Sequence, residues 1–150
     1  MKSNAALLLQ GLKYNLLAGM RLAAFFPVSR YDFRISPGNF VLLSVFNLLA
    51  WLGGGMLRGG FPGYVDFGAL PVALAEMPLV LLASLIIASL YRRRELLLAL
   101  ALLLVAPDVC FELVASAIVI ALRFAGATVP PAVQLTAYVV YLSWVVAIAL

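Results

Sequence analysis

Apolar residues run nearly unbroken through four windows of the chain, each bounded by prolines, glycines or arginines. A bilayer core about 30 Å thick takes roughly 20 residues of helix rising 1.5 Å each, and every window approaches that length. The first covers Asn39 to Leu57, opens after Pro37-Gly38, contains Asn47 and ends in Gly53-Gly54-Gly55. The second covers Leu70 to Tyr91 and carries Pro71, Glu76 and Pro78. The third, Leu96 to Leu122, is too short for two crossings and longer than one upright crossing needs; Pro107 near its middle predicts a kinked or tilted single span. The fourth follows Pro130-Pro131 and stays apolar from Val133 to Leu150. With no polar or basic anchor on its far side, that run reads as leading into a further domain beyond Leu150.

Residues 1–36 follow a different pattern. On a helix, Leu8, Leu12, Leu16, Gly19, Ala23 and Phe26 share one face, and Gln10, Lys13, Leu17 and Arg21 another. The apolar stretch Ala5 to Leu9 is too short for a secretory signal and is broken by Gln10, Gly11 and Lys13. The pattern predicts an amphipathic helix lying on the membrane surface, closed by Pro27 and joined to the first span by a basic connector, Val28 to Ser36. The alternative for the same pattern is a helix packed on the bundle. The predicted fold is therefore all-α, with an interfacial helix and connector (1–36) followed by a four-helix transmembrane bundle (37–150).

Composition sharpens this. Hydrophobic residues make up 66% of the 150 and charged residues only 11%, with a mean hydropathy of +1.15, which excludes a water-soluble globule. Ten Lys/Arg against six Asp/Glu leave +4, but the basic residues flank apolar runs, so nucleic acid is not an expected partner. Five precede the first span, Arg58 follows it, Arg92, Arg93 and Arg94 separate the second and third, and Arg123 follows the third. Alternate crossing puts eight on one side and two on the other. The positive-inside rule then makes both termini and the Arg92–Arg94 turn cytoplasmic, in what reads as a bacterial inner-membrane protein. Lys13, Arg21, Arg92, Arg93 and Arg94 are the candidates for topology and for contact with anionic lipid headgroups. The expected partners are the bilayer, its anionic lipids on the cytoplasmic face, and a second copy or another membrane protein.

Candidate chemistry is sparse. The chain has no His and one Cys, Cys110, which removes His-based acid/base work, Cys/His zinc sites and an intrachain disulfide. Neither a metal nor a cofactor is expected. The Gly53–Gly55 and Gly59-Gly60 clusters lack the strand and the Lys-Ser/Thr of a phosphate loop. What stands out is Glu76, Asp108 and Glu112, since an ionisable group within a span is costly and usually faces the bundle interior or a polar cavity. Asp108 and Glu112, four residues apart, share a helix face about 6 Å apart in depth. With Asn47 they form the candidate intramembrane site, and with no basic residue inside a span, low dielectric and mutual repulsion favour their protonated forms. One reading is a proton or cation relay, or a polar cavity for a small substrate. The other is a set of hydrogen bonds that holds helices together.

The segment Asn15-Leu16-Leu17-Ala18-Gly19-Met20-Arg21-Leu22-Ala23, followed by Asp32-Phe33-Arg34-Ile35-Ser36-Pro37, resembles the multi-pass membrane region preceding the peptidase domain in some bacterial members of the legumain-like peptidase family. A surface helix followed by spans also resembles Yip1-like membrane proteins. The first resemblance implies a membrane anchor whose enzyme part lies elsewhere. The catalytic His and Cys of that family have no counterpart here, so no catalytic residue carries over. The expected function is a noncatalytic membrane anchor or assembly module, and the alternative is a small proton- or cation-coupled transporter or channel-like protein.

Overall fold

The computed structural model describes residues 4–59, 68, 70–126, 139–140 and 143, and among them every regular element is helical. Four long helices carry the fold: α1 (Asn4–Ala23), α2 (Pro37–Gly59), α3 (Leu70–Leu90) and α4 (Leu97–Phe124). Among the described residues, three segments are long and apolar enough to cross a membrane, Pro37–Met56, Leu70–Leu90 and Arg94–Leu122. They match the first three apolar windows. The fourth window lies outside the described residues, apart from Val139, Val140 and Ser143, which are helical.

Local chemistry sets the boundaries. Ser36 caps α2, its Oγ accepting from the Asn39 N–H at 3.1 Å and its carbonyl from the Phe40 N–H at 3.0 Å, while Pro37 fills the first helical position, where a missing N–H costs nothing. At the end of α1 the Phe26 N–H reaches the Arg21 carbonyl (2.8 Å) and the Phe25 N–H the Leu22 carbonyl (3.0 Å), with Phe25 left-handed at φ 57°. This stop comes four residues before Pro27, the residue expected to close the helix. α3 ends the same way, Arg93 N–H to Ala88 carbonyl (2.8 Å), with Arg92 at φ 54°. Both positions favour glycine, and a side chain there costs about 1–2 kcal/mol. α4 continues through Pro107 as one helix.

α4 is the central element, touching α1, α2 and α3. It supplies Ala101, Leu102, Val105, Ala106 and Val109 to a core completed by Ala18, Phe33, Phe40 and Leu43. α3 packs against α4 through the fully buried Ser84 and Ala88, and only 6% of its most apolar window is buried. The rest of that helix presents Val72, Leu74, Leu79, Leu82, Leu85 and Ile86 outward, an apolar surface that water does not favour and lipid does.

The N-terminal helix rests on this bundle. Its buried stripe is Gly11, Asn15, Ala18 and Gly19, whereas the leucine line of the expected lipid face is only partly used: Leu12 and Leu16 lie against the core and Leu8 is exposed. The reason is steric. A Cβ on Gly19 would stand 2.5 Å from the Ala106 carbonyl oxygen, so the backbones of α1 and α4 meet directly, as small residues allow. Gln10, Lys13, Leu17 and Arg21 remain exposed on the opposite side.

The basic connector is structured as well. Ser29 Oγ accepts from the Tyr31 N–H, Asp32 Oδ2 accepts from the Ser29 N–H at 2.8 Å, and the pair closes a short 3-10 turn, Arg30–Asp32. Phe33 then enters the core. Beside it the Arg34 backbone is held on both sides: its N–H donates to Asn15 Oδ1 (2.8 Å), and its carbonyl accepts from Asn39 Nδ2 (2.9 Å) and Asn15 Nδ2 (3.4 Å).

Candidate functional site

The polar cluster assembles from three helices. Asn47 lies ten residues into α2 and Asp108 eleven into α4, about 15 Å along each helix from its start, hence mid-span. Asn47 is 3% exposed, and its Nδ2 donates to Asp108 Oδ2 at 3.0 Å. Because α3 turns back onto α4 through the short Tyr91–Arg93 segment, Glu76 reaches the same level and its carboxyl lies near that of Asp108. Glu112, one turn beyond Asp108, bears on Glu76 electrostatically and accepts from Ser116 Oγ, four residues on, at 3.5 Å.

All four sequence candidates therefore meet in one region, with Asp108 on α4 bonded to Asn47 on α2 and close to Glu76 on α3. Beside them lies a cleft of ≈ 150 Å³ between α2 and α3, reaching Ser44, Asn47, Trp51, Glu76 and Met77. Ser44 Oγ is buried there without a hydrogen-bond partner. Among the described residues, no three Asp, Glu, Cys or His side chains are grouped to hold a metal ion.

The basic candidates lie elsewhere. Lys13 projects from α1, and Arg92, Arg93 and Arg94 form the exposed turn between α3 and α4. Arg21 donates to the Pro27 carbonyl at 3.0 Å and pairs with Asp32 at 3.8 Å, tying the end of α1 to the connector. Cys110 is buried against the Ala106 and Leu16 carbonyls, with Sγ at 3.4 and 3.8 Å, a packing position on the α1–α4 contact.

Sequence reasoning passed over Gly11 and two buried amides, Asn15 and Asn39, which fix the connector, and it placed Gly19 on the apolar face without reading a backbone contact there. The spacing Gly11, Asn15, Ala18, Gly19 carried the signal, since small residues at helical intervals of three and four mark a close helix contact. Comparison of the chain with models of protein families, with curated proteins and with solved structures finds no match.

Proposed function

We propose that this chain is a noncatalytic multi-pass membrane anchor or assembly module, seated in a bacterial inner membrane with its N-terminus and the Arg92–Arg94 turn cytoplasmic. The three apolar helices and the fourth apolar run, Val133 to Leu150, are its crossings, which returns the chain to the cytoplasmic side. Anionic lipids meet the basic residues on that face. The observation that carries the reading is the bond across two helices at mid-span, Asn47 Nδ2 on α2 to Asp108 Oδ2 on α4 at 3.0 Å, with Glu76 of α3 beside it. Polar groups that satisfy one another across helices act as a clamp, fixing which faces of the otherwise apolar α2 and α4 meet.

A double-mutant cycle tests this. Asn47→Ala and Asp108→Ala, alone and together, are unfolded reversibly in micelles, and a clamp gives a coupling of about 0.5–2 kcal/mol. Additive effects would refute it.

The cleft favours a second reading, a small proton- or cation-coupled transporter. It brings an open path to Glu76 and Asn47, so the carboxyl cluster is not sealed from its surroundings.

A further inference from the structure

We propose that the α1–α2 connector is a preformed wedge for an anionic lipid surface, with Phe25, Phe26 and Tyr31 entering the acyl–headgroup boundary and Arg21 and Arg34 meeting lipid phosphates. The proposal rests on the membrane reading above and adds which segment touches the headgroups: the loop, where the sequence pattern pointed to the leucine face of α1.

Exposure carries it first. Phe25 is 63% exposed, Phe26 60%, Tyr31 77% and Ile35 42%, an apolar and aromatic group within eleven residues of chain. Its place in the fold says what covers it. Ile35 lies two residues before Pro37, where the first membrane-crossing helix starts, so the connector sits at the level where that helix leaves the hydrocarbon. Aromatic side chains favour that level, with the ring in apolar surroundings and, for Tyr31, the hydroxyl in water.

Charge complements the surface. From residue 13 to residue 34 the chain carries Lys13, Arg21, Arg30 and Arg34 against Asp32 alone, an excess that attracts anionic headgroups. Arg34 stacks over the Tyr14 ring at 5.1 Å from its centroid, which leaves its guanidinium edge free to meet a phosphate.

The loop is also ordered before it meets lipid. The left-handed turn at Phe25, the Arg21 bonds to Pro27 and Asp32, the Ser29–Asp32 box and the Asn15/Asn39 hold on Arg34 fix its shape. Little conformational freedom remains to be lost on contact, and preorganisation of this kind raises affinity.

The full chain, reconstituted in vesicles of zwitterionic lipid with or without anionic lipid, tests the wedge through two single-tryptophan proteins. One keeps Trp51 in a Trp144→Phe background and reports insertion of α2. The other is Phe26→Trp with Trp51→Phe and Trp144→Phe. Trp51 emission quenched by brominated lipid establishes that the protein is in the bilayer. Given that, the Phe26→Trp reporter should lose most of its emission to lipids brominated near the headgroup, more so with anionic lipid present, and stay protected from aqueous iodide. Iodide quenching without bromolipid quenching would overturn the wedge while leaving the membrane reading intact. Protection from both quenchers would also overturn it, assigning the aromatics to a protein contact. Loss of bromolipid quenching at Trp51 would fail the membrane reading itself.

Discussion

Replacing Gly19 by alanine adds one methyl group where the backbones of α1 and α4 meet. An ideal Cβ there stands 2.5 Å from the Ala106 carbonyl oxygen and 2.6 Å from its carbonyl carbon, and ordinary contact begins at 3.4 Å. No rotamer change relieves a clash with backbone, so α1 must retreat from α4 by nearly 1 Å. A gap of that size forfeits a quarter to a half of each van der Waals well along the interface, and overpacking of this kind costs about 1–3 kcal/mol. Alanine returns up to about 1 kcal/mol of helix propensity, so the net loss should be about 1–2 kcal/mol. Gly53→Ala is the internal control: its Cβ meets nothing within 4 Å, and the same propensity should stabilise α2 by up to about 1 kcal/mol. Reversible unfolding in mixed micelles, followed by far-ultraviolet circular dichroism, compares the two variants with the wild type. If Gly19→Ala is as stable as Gly53→Ala, α1 does not pack on α4, and the argument from the small-residue stripe fails.

Further expectations use the same assay. Asn15→Ala removes both side-chain bonds to the partly buried Arg34 backbone and should cost about 1 kcal/mol, the scale of a lost hydrogen bond, since Asn39 still serves the Arg34 carbonyl; a change within error would mean the connector is held otherwise. Asn47→Leu leaves Asp108 without its amide donor and should cost more than Asp108→Asn, which keeps a hydrogen-bonding group and should lose no more than about 1 kcal/mol; the reverse order would contradict the clamp. Arg92→Gly relieves a left-handed backbone on an exposed turn and should raise stability by up to about 1 kcal/mol, whereas a loss would show that the arginine side chain holds the turn.

Three helices of membrane-crossing length were legible because hydropathy is a property of single windows: α2, α3 and α4 begin and end within two residues of the apolar runs that announced them. The carboxyls were legible for the same reason, since a charge in an apolar run stands out and a spacing of four fixes a shared face. The Asn47–Asp108 bond was not, because 61 residues separate the partners and only the packing of α2 on α4 joins them. Of the two readings the pattern of α1 left open, the structure packs the helix on the bundle, along a stripe rotated from the leucine line for a physical reason. Leucines dominate its hydrophobic pattern, yet the closest contact uses the residues with the least side chain, and Asn15 is buried because it serves backbone groups of a loop nineteen positions away. The stop of α1 at Ala23, four residues short of Pro27, escaped notice because Phe25 is not the glycine that such a turn favours.

Whether the mid-span cluster clamps helices or moves ions is decided by flux. Proteoliposomes holding the wild type, Glu76→Gln, Asp108→Asn and Glu112→Gln are loaded with a pH-sensitive dye and subjected in turn to proton and cation gradients. A clamp gives wild-type leakage equal to that of protein-free vesicles, unchanged in all three variants. A wild-type proton or cation flux that disappears in Glu76→Gln and Asp108→Asn, while both variants still fold and insert, would contradict the anchor account and establish the transporter.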